Sequence, residues 1–326
     1  MTLDVTAEPT AEAPPLPSLS PSRAADFKTC PLLYRFRTID RLPERPSLDQ
    51  ARGTLIHAVL EALFDLPAAE RTPAAAAELV APQWERLLAS PDRGAELAGL
   101  FDPVDQDQLA LPDLTEPRAG AEPVGAGGVG DDSGARWPRT VEELLDSARD
   151  LLGGYFAVED PSRLEPAERE SLVRAEIEGR LAIRGYIDRL AVSPAGELRV
   201  VDYKTGGAPR EAFEARALFQ LKFYALVLWR TRGVVPRVLR LLYLKDAEVC
   251  DFTPDADDLA RFERTLLALW EAIERAKAER DFRPKPSRLC GWCSHQALCP
   301  AFGGTPPPYP EEVTDPTPPP LDDRDE

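Results

Sequence analysis

The sequence predicts an α/β domain in which helices flank a central mixed sheet. Three observations carry that expectation. Amphipathic helical segments and short β-rich runs follow one another in the order helix, three strands, helix, strand. The turn Ser193-Pro194-Ala195-Gly196 joins two of the runs as a hairpin. A chain of 326 residues, 43% of them apolar, can also bury a substantial core.

Residues 1–17 are rich in Pro, Ala and Glu and read as a disordered tail. Residues 47–66 form the first strong helix, with Leu55, Val59, Leu63 and Leu66 along one side. From about residue 91 to 137 apolar periodicity fails, and Gly125-Ala126-Gly127-Gly128 marks a flexible acidic insert. A second helix spans 141–156. Strands follow at 172–178, 181–192 and 198–203. A helix at 212–230, a strand at 235–244 and a long helix at 255–280 complete the pattern. Residues 303–326, with two triple-proline runs, read as a disordered acidic tail.

The formal net charge of -17 argues at first against a nucleic-acid partner. Counting charged residues by segment moves that acidity off the core. The regions 1–22, 92–135 and 301–326 hold about -3, -8 and -6, which leaves the rest near zero. No apolar run reaches the ~20 residues of a membrane span, and the N-terminus lacks a secretory pattern. A soluble, cytoplasmic protein without structural disulfides is expected.

The chemical signal lies in the strands. Asp188, in Gly185-Tyr186-Ile187-Asp188-Arg189, and Asp202, in Asp202-Tyr203-Lys204-Thr205-Gly206, fall on the two arms of the hairpin. Carboxylates brought side by side repel unless a cation sits between them, and hard oxygen ligands suit Mg²⁺ or Mn²⁺. Alternation puts Asp202 and Lys204 on one strand face with Tyr203 on the other, so an ammonium stands ready to neutralise charge on a phosphorane. The competing reading makes both pairs surface salt bridges of little worth. On the first helix, Gly53, His57 and Glu61 share a stripe separate from the leucines, and an imidazole ligand would favour Mn²⁺. Gln220 and Tyr224 are one turn apart on the helix after Lys204.

Near the C-terminus, Cys290, Cys293 and Cys299 have the spacing C-x2-C-x5-C, and Cys30 stands far upstream. Three close thiols need a fourth ligand. Spacing leaves open a zinc site completed by Cys30 or His295, an iron–sulfur site completed by Cys30, or unconnected thiols. Cys250 reads as an ordinary core cysteine.

Taken in order, Gly53-x3-His57-x3-Glu61, Gly185-x2-Asp188-Arg189, Asp202-Tyr203-Lys204-Thr205-Gly206 and Gln220-x3-Tyr224 resemble the motifs of RecB-like nucleases of the PD-(D/E)XK superfamily. The resemblance covers residues 18–302 apart from the insert and implies a restriction-endonuclease-like core. It implies metal ligation by His57, Asp188, Asp202 and the Tyr203 carbonyl. It also implies catalysis by Lys204 with Asp188 and Asp202, assisted by Gln220 and Tyr224, and an acidic position at Glu176. The resemblance extends to the subset, including AddB nuclease domains and CRISPR-associated RecB-like exonucleases, that holds a [4Fe-4S] cluster on one upstream cysteine and a C-x2-C-x5-C segment. Here those ligands would be Cys30, Cys290, Cys293 and Cys299.

The expected function is a Mg²⁺- or Mn²⁺-dependent deoxyribonuclease acting on single strands or ends in repair or recombination, with a helicase or repair partner. Arg23, Lys28, Arg35, Arg52 and Lys222 would form its phosphate track. The alternatives are a non-catalytic, iron–sulfur-stabilised module for DNA ends or a partner, and a zinc-stabilised hydrolase of RNA.

Overall fold

In the computed structural model two hydrophobic clusters lie on opposite faces of one six-stranded sheet. The structure describes residues 16–44, 47–91, 93–101, 140–208, 214–311 and 313. Alternation along the strands divides the core. Val200, Leu241 and Tyr243 face one cluster, while Val201, Tyr203, Leu242 and Leu244 face the other.

The chain enters through β1 (Ser18–Leu19), α1 (Pro21–Thr29) and α2 (Pro31–Tyr34), and α2 runs into a π turn at Arg35–Ile39. Next, α3 (Leu48–Leu63), α4 (Pro73–Leu88), α5 (Gly94–Ala98) and α6 (Val141–Val158) cover one face of the sheet. Then come β2 (Glu168–Ile177), β3 (Leu181–Val192) and β4 (Leu198–Lys204). The other face is covered by α7 (Glu214–Arg232), which crosses from β4 to β5 (Val238–Tyr243), and by α8 (Ala256–Glu279), which follows β6 (Glu248–Phe252).

Local chemistry sets these boundaries. Ser47 and Gln50 form a reciprocal capping box at the start of α3, and Thr140 and Asp255 cap α6 and α8 through their side chains. Gly196, at φ 80°, closes the β3–β4 hairpin by donating its N–H to Ser193 O. The sheet is mixed as expected: β2–β3, β3–β4 and β5–β6 pair antiparallel, and β4–β5 and β1–β3 pair parallel.

Three expectations need correction. The strand expected at 172–178 begins earlier, at Glu168. The expected insert contains α5, whose Leu97 is buried, while residue 92 and residues 102–137 fall outside the described residues. The C-terminal tail starts packed: Tyr309 stacks on Phe282 at 6.1 Å, and Pro307 O accepts a hydrogen bond from Arg35 Nη2. Residues 1–15, 312 and 314–326, on which the rest of the two tail expectations fall, are likewise outside the description.

One feature of the sheet positions the site. β2 pairs with β3 along residues 181–190, while β1 pairs with 182–183 and β4 with 189–192. Since 182–183 and 189–190 each pair with β2 as well, β1 and β4 must share the edge of β3 that β2 leaves free. Residues 184–188 lie between them as a notch in that edge. Gly185, Tyr186 and Asp188 all belong to the notch.

Candidate active site

The β3–β4 ladder ends at Arg189. The next amide that could extend it, Tyr203 N–H, donates instead to Asp188 Oδ2 at 2.7 Å. This bond fixes a buried carboxylate at the rim of the notch. Asp202, only 1% exposed, stands across from it on β4. Its Oδ2 has no aligned hydrogen bond, although Lys204 Nζ is 2.6 Å away as an ion-pair partner. Lys204 Nζ also donates to Gln220 Oε1 at 2.8 Å, and Gln220 Nε2 donates to Tyr224 Oη at 2.9 Å. Asp202, Lys204, Gln220 and Tyr224 therefore form one hydrogen-bonded and ion-paired line from β4 to α7.

From the opposite face α3 delivers His57. Its Nε2 is 3.2 Å from Tyr203 O, and its Nδ1 is 3.2 Å from Glu170 Oε1 and 3.6 Å from Asp188 Oδ2. Both ring nitrogens thus face acceptors, an arrangement that favours the imidazolium. Burial disfavours that charge, yet Asp188, Glu170 and Asp202 outweigh burial and raise His57 to about 9. Burial and the nearby Asp202 raise Asp188 to about 7 despite the opposing His57. A buried carboxyl that resists ionisation, next to an imidazole and a second carboxylate, is the electrostatic mark of a cation site.

Among the described residues, His57, Glu170 and Asp188 are the group whose ligand atoms lie within 4.8 Å of one another. Glu170 was not anticipated. The expected acid, Glu176, is exposed, pairs in register with Ala182 and lies 3.8 Å from Arg174. Glu170 instead stands across from Asp188, at a break in the β2–β3 ladder between the Arg169–Arg189 and Ser171–Ile187 pairs. Its φ of 43° is left-handed, a conformation costing roughly 1–2 kcal/mol outside glycine, and such strain collects at functional sites. The signal that could have found it is register. Counting back from the closing pair Ile177–Leu181 puts Glu170 opposite Asp188.

The other sequence-selected residues divide. The Tyr203 carbonyl reaches the site but accepts from His57, while its ring packs edge-on against Tyr155 at 5.9 Å. A Cβ on Gly53 would meet Thr205 Oγ1 at 3.5 Å, an ordinary contact, and Glu61 is exposed. Arg189 is no surface charge. It is 2% exposed and grips Glu159 bidentately at 2.6 and 2.7 Å, with its guanidinium over Phe64 and Tyr203. The expected phosphate track does not assemble as a unit. Arg35 is buried against Asp40 at 3.0 Å, Lys222 lies over Phe252 on the far edge strand, Lys28 lies over Phe219, and Arg52 pairs with Asp49. Arg23 donates to Ser18 O at 3.5 Å.

Cys30, Cys290, Cys293 and Cys299 line one cavity. Lys285 N–H donates to Cys30 Sγ and Ser287 N–H to Cys290 Sγ, each at 3.3 Å. Burial pushes the Cys293 thiol up, opposed by a backbone hydrogen bond at His295 and reinforced by Cys290 and Cys30. No three of these sulfurs close to within 4.8 Å of one another. Cys250 lies on edge strand β6, half-buried against the core.

With this geometry established, comparison with known proteins decides the family. A family model described as "PD-(D/E)XK nuclease superfamily" matches residues 18–300. The chain belongs to the PD-(D/E)XK nuclease superfamily. Among relatives of this nuclease, the Gene 69 protein of Mycobacterium phage D29 is 27% identical over 88% of this chain and 98% of its own length. The Gene 69 protein of Mycobacterium phage L5 is 32% identical over 39% of this chain and 42% of its own. A crystal structure from Eubacterium rectale, described as "Putative exonuclease", covers 85% of this chain and 87% of its own at 9% identity and TM-score 0.46. Among the described residues, no helix of this PD-(D/E)XK protein is long and apolar enough to cross a membrane.

Proposed function

We propose that the chain is a metal-dependent deoxyribonuclease that hydrolyses phosphodiesters at single-stranded DNA ends, in repair or recombination, with strand opening left to a separate helicase. One observation carries the reading. Two carboxylates and an imidazole, Glu170, Asp188 and His57, converge on the rim of the notch, with Asp202 across from Asp188, and the ammonium of Lys204 is held by Asp202 and Gln220. The donor set suits a divalent cation. It offers hard oxygens and one nitrogen, Asp202 Oδ2 lacks an aligned hydrogen bond, and Asp188 resists ionising. Asp188, Asp202 and His57 would hold Mg²⁺ or Mn²⁺, with Glu170 replacing the expected Glu176 beside them. The Tyr203 carbonyl would join once His57 releases it.

The cation supplies a Lewis acid for the phosphoryl group. The chain's own residues do the rest. Lys204 presents a fixed ammonium to the charge that builds on the phosphorane oxygens. Gln220 aims that ammonium by accepting from it, and Tyr224 fixes the Gln220 amide by accepting from Nε2. Burial, with Asp202 nearby, raises the Tyr224 phenol and keeps it a proton donor. The left-handed Glu170 and the Tyr203 amide hold the acids in place before substrate arrives.

Cys30, Cys290, Cys293 and Cys299, which line one cavity, would hold the [4Fe-4S] cluster that the resemblance implies. The N–H groups of Lys285 and Ser287 donate to two of these sulfurs, the kind of hydrogen bond that steadies a metal-bound thiolate. The cluster would tie Cys30, near the start of the domain, to its C-terminal segment.

The test is a panel of 5′- and 3′-labelled single- and double-stranded DNA, plus RNA, with Mg²⁺ or Mn²⁺. Shortening of single-stranded DNA from one end supports the proposal. Cleavage confined to RNA, or no metal-dependent cleavage of any substrate, overturns it.

A further inference from the structure

Next to the acids, the β2–β3 ladder carries a pair of cations that the phosphate chemistry leaves unused. Gly185 fixes the faces of β3. A Cβ there would stand 2.6 Å from Tyr224 Cε1 and 3.4 Å from Pro21 Cδ, and Ile183 and Ile187 pack in the same cluster as α7. Alternation turns Arg184, Tyr186 and Asp188 to the other face, where α3 brings His57 Nδ1 to 3.6 Å from Asp188 Oδ2. Register supplies their neighbours on β2. Arg174 pairs with Arg184 and Leu172 with Tyr186, while Glu170 stands across from Asp188 at the break in the ladder. Three rows therefore follow one another along the strands: two acids, a leucine with a half-exposed tyrosine, and two arginines.

Nothing in the fold balances the arginine row. Like charges directly opposite one another on a sheet face destabilise the pairing. Arg174 comes only to 3.8 Å of Glu176 Oε1, and both side chains are exposed, so that contact offsets little. Arg184 Nη1 is buried without a hydrogen-bond partner, and among the described residues no carboxylate forms an ion pair with Arg184. Burial lowers the Arg184 guanidinium from its ordinary range, opposed by the Tyr186 phenol and reinforced by Arg174. Two close acids call for a cation. By the same logic two close guanidiniums with an unused donor call for an anion, and the planar guanidinium fork matches the oxygens of a phosphate.

We infer that Arg184 and Arg174 form an anion site that holds a backbone phosphate of the strand being cut, a few nucleotides from the scissile bond. That the anion belongs to DNA rests on the nuclease reading. Four residues of strand separate Arg184 from Asp188, about 13 Å at the usual rise. Phosphates recur on one strand roughly every 3.4 Å of helical rise, and further apart when the strand is extended. A strand with its scissile phosphate at the acid row therefore brings a later phosphate to the arginine row. The contact positions the strand and reads no sequence. A strand too short to span both rows lacks the second anchor, so tight binding has a minimum length.

The test titrates the full chain with a fluorescein-labelled oligothymidylate and with an abasic oligomer of equal length and charge. Binding is measured in Ca²⁺ buffer at several salt concentrations, with oligomer integrity checked on a gel. Arg184→Gln should weaken both oligomers about tenfold, the size of one charge-assisted contact. It should also make the dependence of log affinity on log salt shallower by about 0.7, the share of one phosphate on a single strand. Arg184→Lys should keep the wild-type slope. Arg237→Gln removes an exposed charge that pairs with Glu197 at 3.3 Å, and it should change neither quantity. Arg184 has no ion pair to lose and one repulsion to shed, so Arg184→Gln should melt no lower than the parent. Unchanged affinity and slope in Arg184→Gln, an equal loss in Arg237→Gln, or a loss confined to the base-bearing oligomer overturns the anion site. A melting temperature lowered by several degrees, or no binding of either oligomer by wild type, does the same. Cleavage by wild type judges the underlying reading separately. If wild type cuts nothing while Arg184 still governs strand binding, the anion site stands and the nuclease assignment falls. If wild type cuts and Arg184→Gln binds as wild type does, the anion site falls and the assignment stands.

Discussion

Replacing Glu159 by Ala should destabilise the domain more than any surface change, because it strands a guanidinium inside the protein. Arg189 follows directly after Asp188, is 2% exposed, and places both terminal nitrogens on Glu159 at 2.6 and 2.7 Å. The Glu159 side chain keeps only 8% of its surface. Removing one partner of a buried pair typically costs about 3–5 kcal/mol, since the other charge loses both water and its counterion. At about 2–4 °C per kcal/mol for a domain of this size, the melting temperature should fall by roughly 6–20 °C. Thermal and urea unfolding of Glu159→Ala, Arg189→Ala and the apolar pair Glu159→Leu/Arg189→Met would measure it. The singles should each lose several kcal/mol. The pair should recover much of that loss, because no charge remains buried alone. Single losses below about 1 kcal/mol, the value of an exposed pair, would show that Arg189 is not stranded by the loss of Glu159, as would losses that simply add in the double variant.

Gly185→Ala should cost about 1–3 kcal/mol by pushing its Cβ into the Tyr224 ring, and the cost should nearly vanish in a Tyr224→Ala background; melting curves decide, and an equal cost in both backgrounds would sink the steric account. His57 and Asp188 are raised in the folded chain, to about 9 and about 7, so the metal-free fold binds more protons than the unfolded chain. Its stability should therefore decline as pH rises, from the ordinary carboxylate range through about 7 for Asp188 and from 6.5 through about 9 for His57. Melts in EDTA should show this decline, and Mn²⁺ should flatten it; a melting temperature that climbs across the same window would contradict the sign. Cys30→Ser should bleach a brown, anaerobically purified protein and lower its melting temperature, while Cys250→Ser should leave the colour intact; a colourless wild type that carries zinc would remove the cluster proposal.

Much of the fold could be read from the sequence because its signals are local. The stripe Leu55–Val59–Leu63 became the buried face of α3, and the Pro194–Gly196 turn fixed the hairpin carrying Asp188 and Asp202. Asp202 and Lys204 meet on one strand face as alternation implied, and Gln220 and Tyr224 reach Lys204 as the resemblance implied. What escaped depended on tertiary context. In α4 an interior Pro82 and an alanine run hide the buried stripe Ala76–Val80–Trp84. The entry elements β1 and α1 are too short for periodicity to detect, yet they wall the notch. Glu170 lies in the charged run Glu168-Arg169-Glu170 with no apolar alternation, so only pairing with β3 distinguishes it from a surface acid. Arg35 and Lys222 looked like phosphate contacts because burial and ring stacking do not show in composition.

One cation site and one lysine together would cut DNA, and Lys204→Ala separates the two. Mn²⁺ binding by calorimetry and degradation of end-labelled single-stranded DNA should be followed on the same preparations of wild type, Lys204→Ala and Asp202→Asn. Lys204→Ala should bind Mn²⁺ but lose cleavage by about a hundredfold or more, as expected when a charge aimed at the transition state is removed. Asp202→Asn should lose both binding and cleavage. Full cleavage by Lys204→Ala, or Mn²⁺ binding that ignores Asp202, would contradict it.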